Sequence, residues 1–284
     1  MNYEARVLAT IDYIGKNLDE ELSLDVLCEV AYLSKFHFHR LFTAYTGLSL
    51  QQYVRWLRLK RAAHQLIIED KTPIVSVALE AGFESHQAFT RAFKQTCGLT
   101  PKQFRATSSW SAWDSPPYTL PKQRENSMNV TVKRVEKRRF AVLEYRGDPS
   151  SMGQSVNKLV SWAKSLPISV KPKAGDAFGY AYDDPATTKP ENFRFDLALT
   201  IPENLVIKDE NIHERYLPEG RYAVTVHNGS RDNIGETIYA LLRDWLPQSG
   251  EELGNLPCLF CYQNFDHEVA DTELVTECWF LLNS

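Results

Sequence analysis

No stretch of about 18 consecutive apolar residues occurs in this chain, which excludes a membrane-spanning helix of ordinary length. The N-terminus carries Glu4 and Asp12 where a secretory signal would be basic and then apolar, so the expected compartment is the cytoplasm. Five cysteines, an odd number spread over both halves, do not make a disulfide framework. The one close pair, Cys258-Leu-Phe-Cys261, lies in an apolar run that reads as a strand, where residues three apart point to opposite faces. His37 and His39 are two apart on a helical pattern and so point roughly 200° away from each other, unlike a chelating pair four apart. With no phosphate loop, metal cluster or nucleophile motif, neither metal nor cofactor is expected, and the chain does not read as an enzyme.

Acidic residues are also missing, in two places. The net charge of −4 by itself argues against nucleic acid, but residues 1–107 hold 13 Lys and Arg against 11 Asp and Glu, leaving the acidic excess to the rest. No acid occurs between Val30 and Ile68, where Lys35, Arg40, Arg55, Arg58, Lys60 and Arg61 stand. From Ser85 to Trp113 acids are again absent, and Arg91, Lys94, Lys102 and Arg105 are present. Two such stretches are the footprint that a phosphate backbone attracts.

What is there is enough for two domains: 284 residues, 43% hydrophobic and 12% aromatic. The first hundred residues contain a repeat at an offset of 51, pairing Val26/Val77, Glu29/Glu80, Ser34/Ser85, Phe38/Phe89, Arg40/Arg91, Phe42/Phe93 and Gly47/Gly98. Each copy reads as a short helix, a tight turn (Ala31-Tyr32 or Gly82-Phe83) and a second helix, capped by Ser34 or Ser85 and stopped by Gly47 or Gly98. This is a helix-turn-helix written twice. The spacing turns Phe38, Phe42, Phe89 and Phe93 inward and leaves Arg40 and Arg91 facing outward. Tyr3, Val7, Ile11, Ile14 and Leu18 predict a preceding amphipathic helix. Ser49 to about Glu69 predicts a long one with Leu50, Tyr53, Leu57 and Leu66 inward. A stiff rod there would set the two reading helices for successive major-groove segments about 34 Å apart.

A Ser- and Pro-rich stretch without sustained period predicts a linker over 108–127, whose Trp110 and Trp113 tack it onto a domain surface. Beyond it the period becomes alternating, and a second repeat at an offset of 82 pairs Arg139-Phe140-Ala141-Val142 with Arg221-Tyr222-Ala223-Val224, and Phe178-x-Tyr180 with Phe260-x-Tyr262. Each unit reads β-α-β-β, the first over about 130–145, 150–165, 177–182 and 193–201. The predicted architecture is therefore multidomain: an all-α double helix-turn-helix domain (1–107), then an α+β domain (128–284) with one antiparallel sheet and two helices. Alternation along the last strand puts Glu277, Trp279 and Leu281 on one face. A carboxylate beside an indole suits a lipophilic cation. Tyr180, Tyr182, Tyr262, Trp162 and Trp245 are candidates to line the same cleft. Two other readings stay open: a small-molecule hydrolase using Glu277 and a nearby Tyr, and an acidic module docking a basic protein.

Residues 1–107 resemble the AraC/XylS type of bacterial transcription regulator through the double motif, Ser34-Lys35-Phe36-His37-Phe38-His39-Arg40, Gly82-Phe83-Glu84-Ser85 and Gly98-Leu99-Thr100-Pro101. The resemblance implies base contacts from Phe36, His39 and Arg40 in the first reading helix and from His86, Gln87, Thr90 and Arg91 in the second, with Lys35, Arg55, Arg58 and Lys94 on the DNA backbone. The residue types suit contact with base edges, since Arg forks onto guanine, Gln pairs with adenine, and Thr or an aromatic edge meets the thymine methyl. Residues 128–284 more loosely resemble a gyrase-inhibitor-like effector-binding domain, through Gly179-Tyr180-Ala181-Tyr182-Asp183-Asp184-Pro185, Pro218-Glu219-Gly220-Arg221-Tyr222-Ala223 and Thr276-Glu277-Cys278-Trp279-Phe280-Leu281. The order of the halves is similar to that of Rob-type regulators. It implies double-stranded DNA and a small effector as partners, RNA polymerase as a further contact, no membrane, and Glu277 as the residue facing the ligand.

Overall fold

The computed structural model describes residues 2–69, 71–107, 110, 113, 117, 128–166 and 174–283. It divides into two compact units, one of Met1–Leu33 with Tyr45–Pro121, the other of Ser34–Ala44 with Lys122–Ser284.

Among the described residues of the N-terminal part, seven helices form: α1 (Tyr3–Lys16), α2 (Leu24–Ala31), α3 (Lys35–Thr46), α4 (Leu50–Ile68), α5 (Ile74–Glu80), α6 (His86–Cys97) and α7 (Pro101–Thr107). Local chemistry sets their ends. Asn2, Ser23, Ser49 and Ser85 accept amide protons at the starts of α1, α2, α4 and α6, and Ser49 and Gln52 form a reciprocal capping box. Ser34 does not follow its repeat partner, since its hydroxyl is buried with no hydrogen-bond partner among the described residues. The turn α2–α3 is made by Tyr32, left-handed at φ 51°, and the equivalent turn α5–α6 by Gly82 at φ 77°. Helix α1 ends at Lys16, short of Leu18.

The core of the first unit gathers Leu59, Ala62, Ala63 and Leu66 of α4, Val77 and Ala78 of α5, Phe89, Ala92 and Phe93 of α6, and Phe104 of α7. On α4 the inward ridge is Tyr53, Leu59, Ala62, Ala63 and Leu66, whereas Leu50 and Leu57 are only half-buried. Trp113 is more than a tether: fully buried, it lies 6.0 Å from the Trp56 ring and 5.7 Å from that of Phe93. Arg105, expected in the basic footprint, donates instead to the carbonyls of Leu66 and Thr72 at 3.1 and 2.7 Å. It thus satisfies the exposed end of α4.

The C-terminal part is one antiparallel sheet of eight strands: β1 (Val130–Val135), β2 (Arg138–Arg146), β3 (Ala177–Ala181), β4 (Arg194–Thr200), β5 (Ile212–Leu217), β6 (Gly220–Asn228), β7 (Cys258–Tyr262) and β8 (Val275–Leu282). Helix α8 (Gly153–Ser165) packs on β2 and β4, and α9 (Ile234–Ala240) on β6; a π-helical turn, Leu241–Trp245, continues α9 into α10 (Leu246–Ser249). The strand order β1-β6-β8-β7-β3-β4-β2-β5 corrects the predicted unit. Each repeat is β-β-α-β-β, because the run over 130–145 breaks at Glu136-Lys137, and the leading strand of each repeat pairs in the other repeat's half. The repeats meet where β3 pairs with β7.

Candidate nucleic-acid interface and effector face

Helix α6 builds its exposed face from the helical period alone. Phe89 and Phe93 are fully buried, and Phe83, Phe104 and Trp113 pack around them. Residues on the other side of the cylinder therefore face outward. His86, Gln87, Arg91 and Lys94 are exposed and Thr90 is half-exposed, its hydroxyl 3.5 Å from His86 Nε2. One helix face thus combines a guanidinium fork, a carboxamide, a methyl-bearing hydroxyl and an imidazole, with a lysine one turn on. Nearby, the Arg55 guanidinium lies 5.4 Å from the centre of the Phe83 ring, and a Cβ at Gly82 would sit 3.0 Å from Arg58 Nη1.

The first reading helix departs from its repeat. Arg40, expected to face outward like Arg91, is 4% exposed. Its Nη2 donates to the carbonyl oxygens of Ala181 and Asp183 at 3.3 and 3.0 Å, while its Nε is buried without a partner among the described residues. Phe36 sets its ring 5.7 Å from Tyr182, and Lys35 is exposed at the start of the helix.

His37 is buried and shares a hydrogen bond of 3.0 Å between its Nε2 and the Gly254 carbonyl, while Nδ1 has no partner. The carbonyl acceptor assigns a proton to Nε2. Burial foremost, and then the Arg40 charge, lower its pKa to about 4 despite the carbonyl. His39 is lowered too, by burial against the opposing carboxylates of Asp183 and Asp184 and with the help of Arg194. A lowered histidine binds fewer protons folded than unfolded, so its stabilising effect is complete above the ordinary value near 6.5 and is lost as pH falls towards 4. The thermal midpoint of this unit is expected to drop between pH 7 and pH 5, and to drop less in His37→Gln. Equal pH slopes for the two would refute the assignment.

One face of the sheet carries an aromatic cluster. Neighbour by neighbour across it run Glu144, Asp196, Tyr180, Leu259, Trp279 and Val224, with Phe140, Phe178 and Tyr222 beside them. Trp279 meets Phe178 edge-on at 5.4 Å and Tyr222 at 5.8 Å. At one end Trp279 Nε1 donates to Glu277 Oε2 at 2.8 Å, Lys133 Nζ pairs with Glu277 Oε1 at 3.0 Å, and the Arg138 guanidinium lies 5.7 Å from the indole. At the other end the fully buried Asp196 accepts from Arg146 at 2.9 Å, from Arg215 at 2.8 Å and from the Tyr182 hydroxyl at 2.7 Å. Burial and Asp196 push the Tyr182 hydroxyl up to about 12, so it stays a donor.

Of the predicted effector residues, the structure brings together Glu277, Trp279, Tyr180 and Tyr182. Tyr262 alternates to the opposite face, 4.8 Å from the Arg231 guanidinium. Trp162 lines a separate groove of about 600 Å³ with Leu143, Lys158 and Ile212, and Trp245 lies in the π-helical turn. Among the described residues no hydrogen bond joins a tyrosine hydroxyl to Glu277, whose carboxylate is held by Trp279 and Lys133. Its cross-strand neighbour Cys261 is buried, and its thiol is pushed up to about 12 by that burial and by the carboxylate. The ion pairs around Asp196 are not legible in the sequence, because Arg146, Asp196 and Arg215 lie on three strands whose pairing only the fold brings together.

YgiV of Escherichia coli K12, described as a probable transcriptional regulator, is 38% identical over 137 residues, covering 48% of this chain and 85% of its own. The transcriptional regulator Rob of Salmonella typhimurium is 39% identical over 109 residues, 38% of this chain and 37% of Rob. A solved complex of EcmrR with DNA is similar at a TM-score of 0.48 and 12% identity, over 92% of this chain and 99% of that one. Among the described residues no helix is long and apolar enough to cross a membrane. Residues 27–107 match the helix-turn-helix domain model and residues 128–283, more than half of the chain, match that of the GyrI-like small molecule binding domain. The chain belongs to the GyrI-like small-molecule-binding family and carries an AraC-type helix-turn-helix domain ahead of that domain.

Proposed function

We propose that the chain is a cytoplasmic transcription regulator that reads duplex DNA through α6 and, once free to do so, α3, and that answers to a small lipophilic cation on the aromatic face of its sheet. The observation that carries the DNA reading is the exposed row His86, Gln87, Thr90 and Arg91 over a fully buried phenylalanine pair. A rigid helix face of this composition is what base edges in a major groove require. Arg91→Ala is expected to cost about 1–3 kcal/mol on the preferred duplex and to relax preference at one base pair. Arg55→Ala is expected to weaken preferred and random duplexes alike. Fluorescence anisotropy on both duplexes checks this; an equal loss on both for Arg91→Ala would exclude base contact.

For the effector, the supporting observation is Glu277, held by Trp279 and paired with Lys133 at the rim of the aromatic cluster. An incoming cation takes the place of the lysine ammonium and lies against the indole. Lys133→Ala is therefore expected to tighten binding of a cationic dye severalfold, and Glu277→Gln to weaken it by tenfold or more, as read by dye fluorescence titration. A dye indifferent to both changes binds elsewhere. Regulation then follows if the ligand prefers one of two arrangements of the chain, altering promoter occupancy or the contact with RNA polymerase.

A further inference from the structure

The two copies of the motif place equivalent arginines in opposite situations. Arg91 is exposed, whereas Arg40 is buried, its Nη2 spent on two backbone carbonyls at the end of β3 and its Nε unsatisfied. A guanidinium buried for structure alone is normally matched by a carboxylate. Here Asp183 gives its carboxylate to Arg194 through bonds of 2.8 and 2.9 Å and leaves Arg40 only its carbonyl, and the Asp184 carboxylate accepts from the Tyr239 hydroxyl and the Ala186 amide. The same patch receives His37 at the Gly254 carbonyl and Phe36 at the Tyr182 ring, and residues 34–44 group with the sheet as one compact unit. These three contacts engage the side chains of α3 that the DNA reading needs, or their immediate neighbours, and they do so with an incompletely satisfied arginine.

We infer that the strand-end patch formed by Ala181, Tyr182, Asp183 and Gly254 masks the first reading helix, so that the patch and a DNA groove compete for Phe36 and Arg40. The inference rests on the DNA reading proposed above and adds its regulation. Tyr182 also connects the patch to the effector face. Its ring meets Phe36 on one side and stacks at 6.5 Å on Tyr180 on the other, and its hydroxyl is bonded to both Asp196 and Arg215. A ligand that repacks Tyr180 therefore moves the ring on which α3 rests. Only a fraction of the chain then has both reading helices available, and the apparent affinity for a two-part site is reduced by that fraction.

The test uses the full chain and a labelled duplex selected by it from a random pool, without effector. In stopped-flow mixing, α6 engages in a step whose rate rises with duplex concentration, and α3 follows in a step whose rate does not. Tyr182→Ala removes the ring under Phe36, and Gly254→Ala places a Cβ 2.7 Å from Leu281 Cγ and displaces the carbonyl that holds His37. Each is expected to speed the second step and to tighten binding of the selected duplex at least fivefold, with random duplex unchanged. A wild type that binds in a single concentration-dependent step, with both variants at wild-type affinity, overturns the masking while leaving DNA reading intact. Failure of all three proteins to bind any duplex overturns both. Because the concentration-independent step is sought in the unmutated chain, the inference stays testable even if a variant does not fold.

Discussion

Trp279→Ala is expected to destabilise the C-terminal sheet by about 3–5 kcal/mol, the range for removing a large aromatic from a packed interior. The indole is buried among Phe178, Tyr222, Val224 and Leu259, and truncation leaves a cavity in the middle of the sheet where β7 and β8 pair. It also strips Glu277 of its indole donor and Arg138 of the ring beneath it. Hydrogen exchange of the β3, β7 and β8 amides reads the loss without assuming that the whole chain unfolds in one step. A change below about 1 kcal/mol would mean that the aromatic face collapses around the gap, and that it is softer than its burial suggests.

Asp196→Ala is expected to cost about 2–4 kcal/mol, somewhat less than the usual penalty for halving a buried ion cluster. The carboxylate is fully buried and takes bonds from Arg146, Arg215 and Tyr182. The discount comes from the partners: their side chains are 46% and 31% exposed, so water takes over part of what the carboxylate did. Adding Arg215→Met to Asp196→Ala should recover part of the loss, because the second change removes a guanidinium that the first left with only Glu144, at 3.5 Å, and the Tyr182 hydroxyl. A strictly additive double variant would show that the two groups do not interact. Tyr182 loses an acceptor in the single variant, so the same protein should also bind the selected duplex more tightly if the ring shifts away from Phe36.

Much of the architecture is legible because it is written in short-range periods. Phe38, Phe42, Phe89 and Phe93 are four apart in pairs and all are buried; Gly82 and Gly98 stand where φ is positive, at 77° and 78°. Periods of this kind depend on backbone geometry that any helix shares. The alternation of the last strand likewise placed Glu277 and Trp279 on one face, and the register of β3, β7 and β8 sets Tyr180 on that face as well. Alternation says which side a residue faces but not which strand lies alongside. The leading strands β1 and β5 therefore paired across the repeat in a way the pattern did not reveal, and Tyr262, Trp162 and Trp245 fell outside the cluster.

The amino-acid sequence alone determined two duplications, the phenylalanine pairs that each reading helix buries and the membership of a DNA-reading and an effector-binding family. Tertiary structure alone decided that Arg91 meets solvent while its twin Arg40 meets the carbonyls of Ala181 and Asp183, and that Ser34 caps nothing although Ser85 does. The reason is physical. A helix fixes the direction of each side chain relative to its own axis within one turn, but what waits in that direction is supplied by residues about 140 positions away, through long-range packing that no local period encodes.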